Sequence, residues 1–458
     1  MPDDTIAAIS TPLGEGGLAV VRVSGPAALE VADRCFGPAG ASSSKPSDAP
    51  SHSVHFGRVC DQGRLADEVL LTVLRAPRTY TREDTVEISC HGGVLPARLV
   101  LAAVLAGGAR LAEPGEFTKR AFLHGRIDLA QAEAVADLIH ARTELALCAA
   151  QEQLAGKLSQ RVRRLRDELL GILAHVEAQL DFADEDIAPD RRDQLLVRLD
   201  DSVAFMDALL RTADEGRILR RGVRAAIVGR PNVGKSSLLN QLLGHDRAIV
   251  SPIPGTTRDT IEETANIRGL PVVFTDTAGL RHAKDAIEQE GIRRSRETAA
   301  RAELILHVLD GSEPLGAEDI RDFEESDARK RILVLNKSDL PRRLVLPSAL
   351  ASSAPAVAVS CLTGEGLENL KETLKELIWT RDIRAERIDV IINARHQDAL
   401  RRAREGAVRS RDSLGQDLPL DVVALDLRIA VNAVGEIVGC TATEDLLDVI
   451  FSQFCIGK

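Results

Sequence analysis

Residues 229–237 read Gly-Arg-Pro-Asn-Val-Gly-Lys-Ser-Ser, a spacing typical of phosphate-binding loops. They follow an apolar run at residues 225–228 and precede a helical run, the strand–loop–helix order that such a loop requires. Glycines let backbone N–H groups approach phosphates, and the start of a helix adds favourable potential. We therefore predict that Lys235 contacts the β- and γ-phosphates of a nucleotide and that the Ser236 hydroxyl binds Mg²⁺. The loop residues assigned to the nucleotide are Gly229, Asn232, Val233, Gly234, Lys235, Ser236 and Ser237.

Two later motifs, each after an apolar run, indicate which nucleotide binds. Residues 276–279 read Asp-Thr-Ala-Gly, which suits Asp276 to the magnesium shell and the Gly279 N–H to the γ-phosphate. Residues 336–339 read Asn-Lys-Ser-Asp, and Asp339 can accept from the two ring-edge donors of guanine. Adenine has no such pair of donors, so a buried carboxylate would stay unpaired. The sequence therefore predicts GTP rather than ATP, bound also by Asp276, Ala278, Gly279, Asn336, Lys337 and Asp339.

The positions that support the base and the attacking water depart from the usual GTPase pattern. Ser360-Cys361-Leu362 stands where GTPases carry a base-supporting Ser-Ala-Lys, so only Ser360 is assigned to the nucleotide. Leu280 stands where a Ras-like enzyme has a water-orienting Gln. Because Leu cannot orient water, either another group positions it or the protein is a slow switch.

Composition limits the class of protein. A length of 458 residues suggests about three domains. Aromatic residues make up only 3% of the chain, so the cores must consist mostly of Leu, Val, Ile and Ala. The net charge of −11 excludes a generally basic nucleic-acid-binding surface and confines any RNA contact to a local patch.

Cysteine usage and hydropathy predict a cytoplasmic protein. The seven cysteines are scattered from Cys35 to Cys455 without C-x-x-C spacing, which argues against a disulfide framework and a structural zinc site. No run of about 18 apolar residues predicts a membrane span. The stretch from Met1 to Ile9 has two acids and no basic region, unlike a signal peptide.

The pattern of apolar residues changes along the chain. Short apolar runs among turn residues predict a mixed α+β unit of about 120 residues at the start. Apolar residues from Leu154 to Leu180, in steps of three and four, predict one face of a long helix within residues 128–181, and a second helical run covers 193–216. From Val223 to Trp379, apolar runs alternate with helical stretches, which is typical of a doubly wound sheet. Helical patterning then returns as far as Phe454.

Taken together, the motifs resemble the tRNA modification GTPase MnmE (TrmE) family. The resemblance runs essentially end to end and is carried by residues 4–9, 22–26, 91–93, 114–117, 128–134, 229–240, 253–259 and 276–281 and the terminal Cys-Ile-Gly-Lys. It implies an α+β N-terminal folate-binding and dimerisation domain over residues 1–124. It also implies a discontinuous all-α helical domain over 125–221 and 380–458, with an inserted α/β Ras-like P-loop GTPase domain at 222–379.

The resemblance further implies the activity. With the flavoprotein MnmG, which carries FAD, the family adds a carboxymethylaminomethyl or aminomethyl group to carbon 5 of the wobble uridine of certain tRNAs. The one-carbon unit comes from 5-formyl- or 5,10-methylene-tetrahydrofolate, and GTP hydrolysis is required. The partners implied are a second copy of the chain, MnmG in a heterotetramer, and tRNA.

The family's GTPase is stimulated by potassium as its GTPase domains dimerise, and its catalytic residues map onto this sequence. Carbonyl oxygens of Ser251, Ile253 and Thr256, with the Asn232 side chain, would surround K⁺ where an arginine finger stands elsewhere. The same loop contains Gly255, and Thr257 would join the Mg²⁺ shell. Glu288 would reach the attacking water through a second water, in place of the missing Gln. Without the resemblance, Glu288 would be an ordinary exposed acid.

The folate pocket maps onto Arg22, Glu87, Arg126 and Lys458. Arg22 or Arg126 would pair the glutamate carboxylate of the cofactor, and Glu87 would accept from the pterin amino donors. Arg126 stands where the family often has Lys, which keeps the charge but not the shape. Cys455 is either a catalytic thiol beside this pocket or a buried apolar side chain.

Two questions stay open on the sequence alone. Basic clusters at Arg161–Arg166, Arg217–Arg224 and Arg401–Arg409 fit either solvated helix faces or contacts with tRNA phosphates. The GTPase motifs also fit a regulatory switch GTPase that does no chemistry on RNA. The N-terminal folate-like domain and Cys455 favour the modification enzyme.

Overall fold

The computed structural model describes residues 4–39, 45–181, 189–244, 263–274, 302–325, 330–379 and 390–458, without the side chains of 189–191, 322, 324 and 325. The chain divides into two compact units. The first comprises residues 1–136, 154–203 and 402–458, and the second comprises 137–153 and 204–401. The domain boundaries predicted from the sequence stay predictions.

The first unit contains a seven-stranded sheet in the order β3-β4-β5-β6-β2-β1-β7. Neighbouring strands are antiparallel except for the parallel pair β1–β7. The strands are β1 (Ile6–Ile9), β2 (Leu18–Ser24), β3 (Phe36–Pro38), β4 (Ser53–Asp61), β5 (Arg64–Leu74), β6 (Thr85–His91) and β7 (Arg110–Leu111). Helices α1 (Ala28–Cys35) and α2 (Val94–Ala106) cover one face, where Val21, Leu71 and Ile88 are buried. The predicted α+β character of this region is confirmed.

The opposite face of this sheet exposes apolar side chains. Phe56 pairs with Leu70 across β4 and β5, and both are about half exposed, as is Val54 two residues earlier. In the antiparallel register, Val54 is aligned with Thr72, Glu87 and Arg22 across successive strands. Arg22 and Glu87 therefore lie on the same face as this apolar patch, since aligned residues point to the same side of a sheet.

Helices complete the first unit. They are α3 (Glu116–Leu123), α6 (Lys157–Asp181), α14 (Leu420–Val438) and α15 (Glu444–Phe451), with parts of α4 (Leu129–His140), α7 (Pro189–Leu210) and α13 (Ala394–Gly415). The long helix predicted from the apolar residues Leu154 to Leu180 is present as α6, and only Leu154 lies outside it, at the end of the separate helix α5 (Glu144–Leu154). Gly156 ends one helix in the left-handed conformation (φ +87°), and Thr143 accepts from the Ala146 N–H at the start of another. The predicted apolar face survives in α6 from Leu158 to Val176.

The second unit contains a six-stranded sheet in the order β13-β12-β11-β8-β10-β9. The strands are β8 (Val223–Val228), β9 (Glu263–Ile267), β10 (Leu270–Phe274), β11 (Leu304–Asp310), β12 (Lys330–Asn336) and β13 (Ala356–Ala358), flanked by α8 (Ala213–Arg221), α9 (Lys235–Leu243), α10 (Ala317–Glu325), α11 (Ser348–Ser353) and α12 (Leu367–Ile378). All neighbours are parallel except the pair β9–β10. The predicted inserted α/β fold is confirmed. Among the described helices of the whole chain, none is long and apolar enough to cross a membrane.

Candidate functional site

The predicted phosphate loop joins β8 to α9, at the carboxyl edge of the parallel strands. Gly229 and Gly234 both have left-handed φ values, +140° and +101°. A Cβ at Gly229 would stand 2.3 Å from the Val308 carbonyl oxygen, and one at Gly234 would stand 2.1 Å from Nδ2 of Asn336. Only glycine fits at either position, because backbone and a buried amide close the space behind the loop.

Lys235 lies in the first turn of α9 and spans the loop. Its Nζ donates to the carbonyl oxygens of Gly229 at 2.6 Å and Arg230 at 2.7 Å. The ammonium is thereby held beside the backbone that would surround a phosphate. Ser236 follows in the same turn, the position from which a hydroxyl can join a magnesium shell.

An ion pair that the sequence analysis missed anchors the second residue of the loop. Arg230 Nε donates to Asp319 Oδ1 at 2.8 Å, and the Asp319 side chain is 1% exposed. The other carboxylate oxygen accepts from the Gly316 N–H at 2.9 Å. Since 89 residues separate the two partners in sequence, no local pattern signals this contact.

Asn336 connects the phosphate loop with the segment that contains Ser360. It ends β12, where it is buried. Its Nδ2 donates to the Val233 carbonyl oxygen at 2.8 Å, and its Oδ1 accepts from the Cys361 N–H at 3.1 Å. One side-chain amide thus fixes two of the predicted nucleotide-binding loops relative to each other.

Asp339 and Ser360 meet as the sequence predicted for a guanine site. The buried Ser360 hydroxyl donates to Asp339 Oδ1 at 2.6 Å and accepts from the Thr363 N–H at 3.2 Å. The Asp339 residue is exposed, so its second oxygen is accessible to a ligand. Burial, together with the Asp339 charge, raises the pKa of the neighbouring Cys361 thiol to about 11 and keeps it neutral at pH 7.

Lys337 lies beside this pair in a left-handed conformation (φ +63°). Its Nζ is 2.5 Å from Oδ2 of Asp310, which ends β11 and is 4% exposed. Burial alone would raise the pKa of Asp310, but the Lys337 ammonium and the Ser312 donors hold it below its usual range. The ends of three parallel strands, β8, β11 and β12, therefore supply this site.

The remaining predicted residues of the GTPase site lie outside the described part of the chain. They are Ser251, Ile253, Gly255, Thr256, Thr257, Asp276, Ala278, Gly279 and Glu288. Their assignments to GTP, Mg²⁺, K⁺ and catalysis stay predictions.

In the first unit, two of the predicted folate residues, Arg22 and Arg126, lie beside Tyr80, the one tyrosine of the chain, and Glu87 pairs with Arg22. Arg22 Nε donates to Glu87 Oε1 at 2.9 Å across β2 and β6. The Arg22 guanidinium also lies 5.8 Å from the centre of the Tyr80 ring and 5.7 Å from that of Phe117. Arg126 lies 4.7 Å from the Tyr80 ring centre and donates to the Tyr80 carbonyl oxygen at 3.0 Å. The sequence analysis missed Tyr80, although its being the one tyrosine between two arginines was a usable signal.

The terminal Cys-Ile-Gly-Lys segment approaches the same sheet. The Gly115 N–H donates to the Cys455 carbonyl oxygen at 3.3 Å, and Gly457 has φ +93°. A Cβ on Gly457 would stand 2.5 Å from the Ile9 carbonyl oxygen, at the end of β1. Cys455 itself is exposed, so its expected alternative as a buried apolar side chain is wrong.

A buried guanidinium supports this part of the first unit. Arg120 is 1% exposed and forms ion pairs with Asp4, Glu83 and Glu116 at 2.7–3.1 Å. Burial alone would raise the pKa of Glu116, but hydrogen bonds from Arg110, the Glu113 N–H and Arg120 hold it below its usual range.

The three basic clusters are partly neutralised by carboxylates. Arg163 pairs with Asp128, Arg217 pairs with Glu303, and Arg409 pairs with Asp426. These pairs fit solvated helix faces, and tRNA binding by the clusters stays a prediction.

The loop, its lysine and the Asp339–Ser360 pair on a parallel sheet define the class of protein: a P-loop GTPase. Two family models match the chain, "MnmE helical domain" over residues 129–455 and "GTP-binding protein TrmE N-terminus" over residues 5–126. The tRNA modification GTPase MnmE of Bacillus velezensis is 48% identical over 461 residues, covering 99% of this chain and all of the relative. That of Bacillus subtilis is 47% identical with the same coverage.

Among solved structures, the G domain of the FeoB iron transporter of T. maritima is 27% identical. It covers 34% of this chain and 98% of that chain with a TM-score of 0.25. On the family models and full-length relatives, the chain belongs to the tRNA modification GTPase MnmE family. The family resemblance seen in the sequence is confirmed.

Proposed function

We propose that this chain hydrolyses GTP in the cytoplasm to modify carbon 5 of the wobble uridine of certain tRNAs. It acts with the flavoprotein MnmG in a heterotetramer, and the product carries a carboxymethylaminomethyl or aminomethyl group. The observation that carries the proposal is the Asp339–Ser360 pair beside the phosphate loop, in a chain whose full-length relatives are named tRNA modification GTPases. The proposed domains are residues 1–124, 125–221 with 380–458, and 222–379.

In this proposal, the described residues bind and orient the nucleotide. Asp339 accepts from guanine, Lys235 neutralises phosphate oxygens, and backbone N–H groups of the loop contact the phosphates. The close fit of Gly234 against Asn336 supports a loop shaped for backbone contact with phosphates. Ser236 and Thr257 would hold Mg²⁺, which would supply positive charge to the phosphate oxygens of the nucleotide.

Hydrolysis is proposed to depend on a monovalent cation and on Glu288. Potassium held by Asn232 and the carbonyl oxygens of Ser251, Ile253 and Thr256 would stabilise the transition-state charge. We expect faster GTP hydrolysis in potassium than in sodium at equal ionic strength, and equal rates would refute the cation site. Glu288→Ala should slow hydrolysis strongly and leave GTP affinity nearly unchanged, and a wild-type rate would return Glu288 to an ordinary surface role.

We propose that a tetrahydrofolate one-carbon donor binds near the Arg22–Glu87 pair. Glu87 is partly exposed and can accept from pterin donors, and Arg126 can pair a carboxylate. The cationic and aromatic surroundings of Tyr80 suit a flat, anionic cofactor. Lys458 and Cys455 belong to the terminal segment that contacts β1. In this proposal, the Cys455 thiol acts as a catalytic group near the cofactor. Any redox step would use the FAD of the partner.

A homodimer through the N-terminal domain is part of the proposal. The exposed patch of Val54, Phe56 and Leu70 on the β4–β5 part of the sheet supports it, because exposed apolar patches mark interaction surfaces. Light scattering of Phe56→Asp and of the wild-type chain tests this point. A variant that stays as dimeric as the wild type would exclude this face.

The alternative function is a regulatory switch GTPase that does no chemistry on RNA. Mass spectrometry of tRNA nucleosides from cells lacking the chain, rescued by wild type or by Cys455→Ser, separates the two. Loss of carbon-5 aminomethyl-type groups that wild type restores supports the enzyme, and failure of Cys455→Ser adds a role for the thiol. Unchanged tRNA, in cells without a second enzyme for the same modification, would support the switch.

A further inference from the structure

A pocket beside the proposed folate residues has a purely cationic charged lining. Its volume is about 500 Å³, and Arg78, Arg82 and Arg126 line it together with His52 and Tyr80. None of the described residues that line it carries a carboxylate. Three guanidinium groups that share one cavity indicate a binding site for an anion with several charges.

The guanidinium groups of this pocket are not neutralised within the described chain. Arg82 donates to the His124 carbonyl oxygen at 2.8 Å, and Arg126 donates to that of Tyr80 at 3.0 Å. Arg78 is exposed and has no hydrogen bond or ion pair with any described residue. This differs from the arginines of the basic helical clusters, several of which pair with carboxylates. The pocket therefore keeps its positive charge available for a ligand.

The pocket adjoins the proposed folate site through shared residues. Tyr80 and Arg126 line it, and the Tyr80 ring also lies 5.8 Å from the Arg22 guanidinium that pairs with Glu87. A cofactor with its pterin at Glu87 and its glutamate carboxylate at Arg126 would direct any extension of that glutamate toward Arg78 and Arg82. An extension that reaches these two arginines must be flexible, and it binds their guanidinium groups favourably when it is anionic.

We propose that this pocket binds the γ-linked glutamate chain of a polyglutamylated tetrahydrofolate, an inference that rests on the proposed folate site. Each additional glutamate adds one carboxylate, the group that the planar guanidinium fork binds in bidentate geometry. Continuity with the folate residues favours this ligand over the phosphates of RNA. The pocket would make the enzyme select the polyglutamylated cofactor over the monoglutamate.

Calorimetry on the full chain tests the proposal with two probes, the mono- and triglutamate forms of 5-formyl-tetrahydrofolate. We expect the triglutamate to bind about tenfold more tightly, a difference of ~1.4 kcal/mol. Arg78→Gln should remove most of that preference and change monoglutamate affinity by less than about twofold, because Arg78 forms no hydrogen bond or ion pair with any described residue. Arg98→Gln, at an exposed arginine of α2 outside the pocket, is the matched control and should keep the preference.

The outcomes separate this inference from the folate proposal. If both forms bind equally to the wild type, or if Arg78→Gln keeps the preference, the polyglutamate site is wrong while folate binding stands. If neither form binds, the folate proposal fails and this inference fails with it. If Arg78→Gln weakens tRNA binding and leaves the folate preference unchanged, the pocket belongs to RNA phosphates, which also overturns the inference.

Discussion

Removing the Ser360 hydroxyl should weaken the binding of guanine nucleotides without slowing GTP hydrolysis. Its Oγ donates to Asp339 at 2.6 Å and accepts from the Thr363 N–H at 3.2 Å. A hydrogen bond to a charged group contributes about 1.5–3 kcal/mol, and the exposure of Asp339 reduces this to roughly 1–2 kcal/mol. Ser360→Ala should therefore lower the affinity for GTP and for GDP alike by about 5- to 30-fold. The rate at saturating GTP should stay within about twofold, since Ser360 acts on the base side of the site.

Equilibrium binding of fluorescent GTP and GDP analogues, with hydrolysis measured at saturating GTP, checks this prediction. Ser353→Ala is the control, because the exposed Ser353 donates to the Leu350 carbonyl oxygen at the end of α11 and to no other described residue. Unchanged affinity for both nucleotides would refute the reasoning that Ser360 orients Asp339. A loss confined to the hydrolysis rate would also refute it, because it would place Ser360 near the reacting phosphate.

Three further predictions concern buried or strained positions. Burial lowers the pKa of His307 from 6.5 to about 4, so its contribution to stability is complete above pH 6.5 and is lost as the pH falls toward 4. Between pH 7 and pH 5, the wild type should therefore lose roughly 2 kcal/mol more unfolding free energy than His307→Leu. Urea titrations of both proteins at the two pH values would show this difference. Arg120→Met should destabilise the first unit by about 3–5 kcal/mol at pH 7, because it removes the ion pair that Arg120 gives to the largely buried Glu83 carboxylate and one of the charged bonds to Glu116. A loss below about 1 kcal/mol in urea unfolding would contradict this. Gly234→Ala should weaken GTP binding more than about tenfold in the same binding assay, because the added Cβ would displace Asn336. In the control Gly244→Ala, the added Cβ makes only ordinary van der Waals contacts, so GTP affinity should stay unchanged.

Local patterns predicted the parts of the molecule that local physics determines. The spacing of Gly229, Gly234 and Lys235 predicted the loop because the glycines act through their own backbone conformation and the Lys235 side chain bonds within the loop. Short apolar runs predicted the strands of the parallel sheet because those strands are buried on both faces. The folate residues Arg22 and Glu87 were placed by resemblance alone, and their pairing depends on the register of two strands 65 residues apart.

Contacts between distant elements were beyond the reach of the sequence. The Arg230–Asp319 pair depends on how α10 returns to the phosphate loop. The ion pairs of the buried Arg120 depend on two distant segments that bring Asp4 and Glu83 to it. The helical periodicity from Leu154 onward was correct, but it could not show that Gly156, in a left-handed conformation, separates α5 from α6. A periodic pattern records which face is buried, and the cap residues decide where each helix ends.

The position of Asn336 explains how phosphate and base recognition can be coupled in the proposed GTPase. Its amide donates to the phosphate loop at Val233 and accepts from Cys361, which follows the Ser360 that holds Asp339. A shift of the loop therefore changes a hydrogen bond that also positions the segment on the base side. Because Asn336 is buried, water cannot readily replace either bond, and the two loops must move together or lose one of them.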